Sequence, residues 1–187
     1  MNRWLFGYGS LIWRPDFDYL HRRPARIHGW SRRFWQGSHD HRGIPEAPGR
    51  VVTLIRDPAG HCDGMAYLVD AAVIEHTFAA LDHREKNGYE RHPVRLTFDH
   101  RQVDGDAPAD ADASASTDGV VYIAPEGNFA YLGPAPLPDI ARQIHASAGP
   151  SGRNIDYLTE LAQALRALGA VDDHVFELET AVRNLHP

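Results

Sequence analysis

Over roughly the first 125 residues, apolar positions come in short alternating or β-branched runs; beyond them they recur every three or four positions. The chain therefore predicts strands first and helices after. Arg3 to Tyr8 reads as a short strand ending at Gly9-Ser10, and Pro15 soon afterwards argues that no helix opens directly behind that turn. Ala25 to Trp30 and Arg32 to Gly37, broken by Gly29 and Gly37, read as two short paired or bent strands. Arg50 to Arg56 and Cys62 to Val69 are β-branched runs separated by Asp57-Pro58-Ala59-Gly60, a turn composition that predicts a hairpin.

From Ala71 to Lys86 the period becomes helical, with Val73, Ile74, Phe78 and Leu81 on one face and Asn87-Gly88 as the stop. Arg91 to Phe98 alternates as a strand. Gln102 to Gly119 is rich in Ala, Asp and Ser and almost free of large apolar residues, which predicts a flexible surface loop. Val120 to Ala124 resumes as a strand, and Pro134 to Pro138 announces a helix of about ten residues around Ile140, Ile144 and His145. Ile155, Leu158, Leu161, Leu165 and Leu168 mark a further helix stopped by Gly169, and a last amphipathic helix runs near Val175 to Leu185. The expected class is α+β, with a curved or barrel-like sheet and helices packed around it, in a single domain over residues 1–187.

Composition narrows the function classes. The chain has 187 residues, enough to bury a core that removes roughly 70% of the unfolded surface from water. A net charge of −6 disfavours a dedicated binder of nucleic acid or of an acidic membrane. The single cysteine, Cys62, has no internal partner, as expected of a cytoplasmic protein, and the longest uncharged N-terminal run, Trp4 to Trp13, is too short to cross a bilayer. No membrane association is expected.

Candidate chemistry lies at a few points. Gly7-Tyr8-Gly9-Ser10 lacks the third glycine and the following helix of a dinucleotide fingerprint, and Ser10 lacks the flanking glycines of a nucleophile elbow. What remains is a glycine-flanked strand end whose bare N–H groups suit a small carboxylate or an oxyanion, or a simple tight turn. Leu81 to Tyr89 crowds ionisable groups at a helix C-terminus. There the macrodipole and any burial raise the pKa of a carboxylate such as Glu85 toward the range of a general acid or base, unless Arg84 or Lys86 neutralises it. His39-Asp40-His41 offers two imidazoles but no third and fourth metal ligand at a recognisable spacing, so no metal is expected. Arg22, Arg23, Arg26, Arg32 and Arg33 interleave with Trp30, Phe34 and Trp35, either as a groove for single-stranded nucleic acid or as the two faces of a half-buried sheet. The acidic total favours the sheet.

Three segments taken together resemble the ChaC-type γ-glutamylcyclotransferases: Phe6-Gly7-Tyr8-Gly9-Ser10-Leu11-Ile12-Trp13-Arg14-Pro15, Arg32 to Gly37, and Gly49 to Leu54. Arg84-Glu85 with Gly88-Tyr89, Tyr131 to Pro136, and Ser151 to Asn154 with Tyr157-Leu158 continue the resemblance in the same order. It implies a compact fold around a small barrel and cleavage of glutathione to 5-oxoproline and cysteinylglycine without metal or cofactor. It also implies that Gly7, Tyr8, Gly9, Ser10, Leu11, Ile12 and Tyr131 bind the substrate and that Glu85 is the catalytic glutamate. Asn87 stands where the family commonly has glycine, and the 102–119 loop is longer than usual. The same reaction on other γ-glutamyl amides is the enzymatic alternative, a single-strand binding module is the alternative of another class, and the oligomeric state is left open.

Overall fold

The computed structural model describes residues 1–84, 88–98 and 115–185. Five strands close into a mixed barrel: β1 (Arg3–Gly7), β2 (His21–Ser38), β3 (Gly49–Val69), β4 (Glu90–Phe98) and β5 (Ser116–Ile123), in the order β1-β3-β2-β4-β5. Among the described residues four α-helices accompany it: α1 (Ile74–Arg84), α2 (Leu137–Ala146), α3 (Asn154–Ala167) and α4 (Asp173–Arg183). Two-residue strands β6 (Ala148–Gly149) and β7 (Gly152–Arg153) form a small separate ladder. The barrel with its helices matches the α+β expectation. No helix among the described residues is long and apolar enough to cross a membrane.

The chain is organised in two compact units, residues 1–31 with 56–123 and residues 32–55 with 124–187. In the first, β1 pairs antiparallel with β3 from Arg3↔Val69 to Gly7↔Met65 and parallel with β5 from Trp4↔Gly119 to Phe6↔Val121. Strand alternation sends Leu5, Val69 and Tyr122 into one apolar cluster, to which α1 adds Ile74, Phe78 and Leu81 at helical spacing and the turn after β1 adds Leu11.

In the second unit α2, α3 and α4 pack on one another. Ile140, Ile144, Leu158, Leu161, Leu165, Val175 and Leu178 are essentially inaccessible, as the three-and-four spacing requires. Glu179, also buried, is held by Arg166 and Arg183. Asp172 caps α4 by accepting from the Val175 N–H at 3.1 Å and receives the buried guanidinium of Arg32 at 2.6 Å.

Several local expectations are corrected. Ala25–Trp30 and Arg32–Gly37 belong to one strand, β2, because Gly29 absorbs the irregularity with φ of 80° and lets the strand continue. Asp57-Pro58-Ala59-Gly60 does not form a hairpin; it lies within β3. Asp57 is used across the sheet, accepting from the Ser31 hydroxyl at 2.5 Å, and β1 pairs only with residues 65–69 of β3, so Pro58 sits where no donor to β1 is needed. A helical turn does open behind Gly9, a 3₁₀ turn of three residues, Ser10–Ile12, that is complete before Pro15. The helix expected from Ala71 starts at Ile74, because Asp70 holds the preceding turn through Ala72 N–H to Oδ1 at 2.8 Å. Of the expected 102–119 loop, residues 116–119 are strand, paired with β4 and in part with β1; residues 102–114 lie outside the described residues.

His174 gives the second unit a pH dependence. Its Nε2 accepts the Phe34 N–H at 3.0 Å, a role open only to the neutral ring. Burial first, then Arg33, Arg32 and Arg50, depress its pKa from 6.5 to about 4 against the opposing pull of Asp172. The unfolded chain thus binds a proton below 6.5 that the folded chain refuses until about 4. The contribution is complete above the upper value and is lost as the pH falls toward the lower. Urea unfolding between pH 7 and 4 should show stability dropping by up to about 3 kcal/mol from this group, and His174→Gln, a non-titrating acceptor, should flatten that slope. An unchanged slope would contradict the assignment.

Candidate active site

At the end of β1 the chain turns back so tightly that a Cβ on Gly7 would lie 2.6 Å from the Leu11 Cβ; across the ladder, one on Gly64 would lie 2.3 Å from the Gly7 carbonyl oxygen. Both distances are shorter than real contacts, so the turn exists only because both residues are glycine. Gly9, with φ of −122° and ψ of −133°, opens the 3₁₀ turn. Ile12 N–H donates to the Gly9 carbonyl at 3.0 Å, and Trp13 and Arg14 N–H donate to the Ser10 carbonyl at 3.2 and 2.8 Å. The N–H groups of Gly9, Ser10 and Leu11 precede Ile12, the first donor of the turn, and have no acceptor within it.

Side chains pin the turn from below. Leu11 and Ile12 are buried, Leu11 in the apolar cluster of the first unit. The inaccessible Tyr67 hydroxyl donates to the Leu11 carbonyl at 2.5 Å and approaches the Ile12 carbonyl at 3.2 Å; burial raises its pKa, which keeps the phenol protonated as a donor. Tyr8 donates to the Tyr122 carbonyl at 2.8 Å, and Tyr122 in turn donates to Asp82 Oδ1 at 2.7 Å. At the end of α1, Arg84 Nη2 donates to Ser10 Oγ at 2.8 Å.

The structure thus brings Gly7, Tyr8, Gly9, Ser10, Leu11 and Ile12 into one turn. Glu85 lies outside the described residues. Tyr131 belongs to the second unit, where its N–H donates to the Asn128 carbonyl at 3.1 Å and its pKa is raised by burial and by the Glu126 carboxylate. Arg50 is buried beside that segment and donates to the Gly133 and Phe34 carbonyls at 2.9 and 3.0 Å and to Gln143 Oε1 at 2.6 Å. Gln36 and Asn128 exchange amide hydrogen bonds of 3.1 and 2.9 Å. Tyr89 packs against the apolar cluster of the first unit.

Sequence reasoning missed Tyr67, Arg50 and Gln36 as supports. For Tyr67 a signal existed, since a tyrosine inside an apolar strand needs a partner for its hydroxyl. Among the arginines weighed for nucleic acid, Arg32 is buried against Asp172, Arg23 lies 4.4 Å over the Phe98 ring and Arg26 is paired with Asp63 at 2.7 Å, which is the sheet reading. His41 contacts Ser151 Oγ at 3.0 Å, and among the described residues no three His, Cys, Asp or Glu side chains are grouped to hold a metal ion.

A closed mixed barrel whose first strand ends in a glycine-enforced, hydroxyl-pinned turn places the chain among small five-stranded barrels with accompanying helices. Residues 3–185 match the sequence model of the family described as ChaC-like protein. The chain is 42% identical over 188 residues to glutathione-specific gamma-glutamylcyclotransferase 1 of Homo sapiens, covering 98% of this chain and 80% of that protein. It is 42% identical over 190 residues to gamma-glutamylcyclotransferase 2-3 of Arabidopsis thaliana, covering 99% and 90%. The crystal structure of a gamma-glutamyl cyclotransferase specific to glutathione from yeast superposes with a TM-score of 0.86 at 32% identity, covering 98% and 96%. The chain belongs to the ChaC-like protein family.

Tyr67→Phe should leave the buried Leu11 carbonyl without its donor and cost about 1–2 kcal/mol in thermal unfolding. Amide exchange at Ile12, Trp13 and Arg14 should accelerate; unchanged protection there would mean that the hydroxyl does not hold the turn.

Proposed function

We propose that the chain is a glutathione-specific γ-glutamylcyclotransferase, a lyase that works in the cytoplasm without metal or cofactor. The observation that carries this reading is the pinned Tyr8–Ile12 turn with its leading N–H groups, found in a ChaC-like chain whose relatives carry that activity in their names.

The substrate's own α-amine nitrogen attacks its γ-carbonyl carbon. A C–N bond forms and closes the five-membered lactam, the amide C–N bond to cysteine breaks, and cysteinylglycine departs. The closing nitrogen sheds as many protons as the departing nitrogen gains, so no water or redox partner is consumed. Such a closure needs chiefly a held conformer, and effective molarities of about 10⁵ M or more are available to well-oriented intramolecular reactions. The rigid turn supports this demand, with the N–H groups of Gly9, Ser10 and Leu11 binding the γ-glutamyl end. Glu85, next in sequence to Arg84, takes a proton from the ammonium and returns one to the departing nitrogen. Tyr131, kept protonated, serves as a further hydrogen-bonding group toward substrate.

Purified protein incubated with glutathione should release 5-oxoproline and cysteinylglycine in equal amounts by mass spectrometry, and Glu85→Gln should lower kcat by roughly 10²-fold or more. Absence of product, or product undiminished in the variant, would refute the assignment. Comparing kcat/KM for glutathione with that for other γ-glutamyl amides tests the specificity.

A further inference from the structure

Arg84 and Ser10 form a pair whose polarity is fixed. A guanidinium can only donate, so the 2.8 Å contact makes Ser10 Oγ the acceptor and frees the hydroxyl proton to point elsewhere. The guanidinium is also steered from another side, since Nη1 lies 3.5 Å from Asp16 Oδ2. Asp16 is itself held by Arg14 Nε at 3.0 Å and has φ of 54°, an unusual conformation for a residue other than glycine that this clasp accompanies. The Arg84 side chain is only 27% exposed, so its cation acts in a partly sheltered setting rather than in bulk water.

Resting on the γ-glutamyl reading above, we propose that Arg84 is a positioning residue for the substrate's α-carboxylate. It orients the Ser10 hydroxyl to donate to that carboxylate and adds a fixed positive charge one side chain away. A hydroxyl that accepts a charge-assisted hydrogen bond becomes a stronger donor, and the cation favours an anionic ligand while offering little to a neutral one. The pair therefore selects γ-glutamyl compounds for the free carboxylate beside their amine. An arginine that merely tied the end of α1 to the turn would have no such selectivity.

The test compares binding of 5-oxoproline with that of 2-pyrrolidinone, the same lactam without the carboxylate, by NMR titration of the full chain, with melting temperature as a check on folding. The wild-type protein should prefer 5-oxoproline. Arg84→Met and Ser10→Ala should each reduce that preference by roughly tenfold with 2-pyrrolidinone binding unchanged, and Arg84→Lys, which keeps a cation and a donor, should retain most of it. Should Arg84→Met fail to fold, Arg84→Lys and Ser10→Ala decide the matter by the same ratio. A preference that survives in Arg84→Met and Ser10→Ala, or equal weakening of both ligands, would overturn the role of Arg84 alone. A wild-type protein that binds both lactams equally, or neither, would overturn the γ-glutamyl reading itself.

Discussion

Everything proposed for the site depends on one close approach, the Gly7 backbone against Leu11. The chain leaves β1, reverses, and sends Leu11 down into the apolar cluster within four positions, which leaves no room for a Cβ at residue 7. With Leu11 anchored in the cluster and its carbonyl held by Tyr67, the 3₁₀ turn is set by contacts within the chain. Tyr67 completes the arrangement by donating to the Leu11 carbonyl that the reversal buries, which would otherwise carry the cost of desolvation without a partner.

The same economy recurs in the second unit, where polar side chains hold backbone both directly and through one another. Arg50 spends its donors on two carbonyls and an amide, and Gln36 locks Asn128, whose Oδ1 also accepts the Ala130 N–H at 2.8 Å just before Tyr131. Networks of this kind are costly when partly satisfied and rigid when complete. Rigidity suits an intramolecular closure, in which the protein's main contribution is to hold a reactive conformer and place dipoles where charge develops.

The helical half of the fold was largely legible in the sequence. Leu158, Leu161 and Leu165 mark their helix by spacing alone, and their burial follows from it. The strand half was legible in type but not in continuity, because pairing is decided by distant partners. Turn-forming composition at Asp57–Gly60 points to a hairpin, yet Asp57 finds Ser31 and the strand runs on. In the site, the glycines of the turn stand out as local signals. The contacts that hold it do not, since Tyr67 meets Leu11 from 56 positions away and Arg84 meets Ser10 from 74. Position at a helix C-terminus makes Glu85 a candidate, with the neutralised surface carboxylate as its alternative; the resemblance to a family supplies its catalytic role and the whole of the case for Tyr131.

The central claim is that the pinned turn holds the γ-glutamyl end of the substrate through its leading amides. A crystal structure of the protein with bound 5-oxoproline tests it most directly. The account predicts ligand oxygens within about 2.7–3.2 Å of the N–H groups of Gly9, Ser10 and Leu11, with the turn itself unmoved. A ligand seated away from these amides, or a turn that must reopen to receive it, would contradict the account.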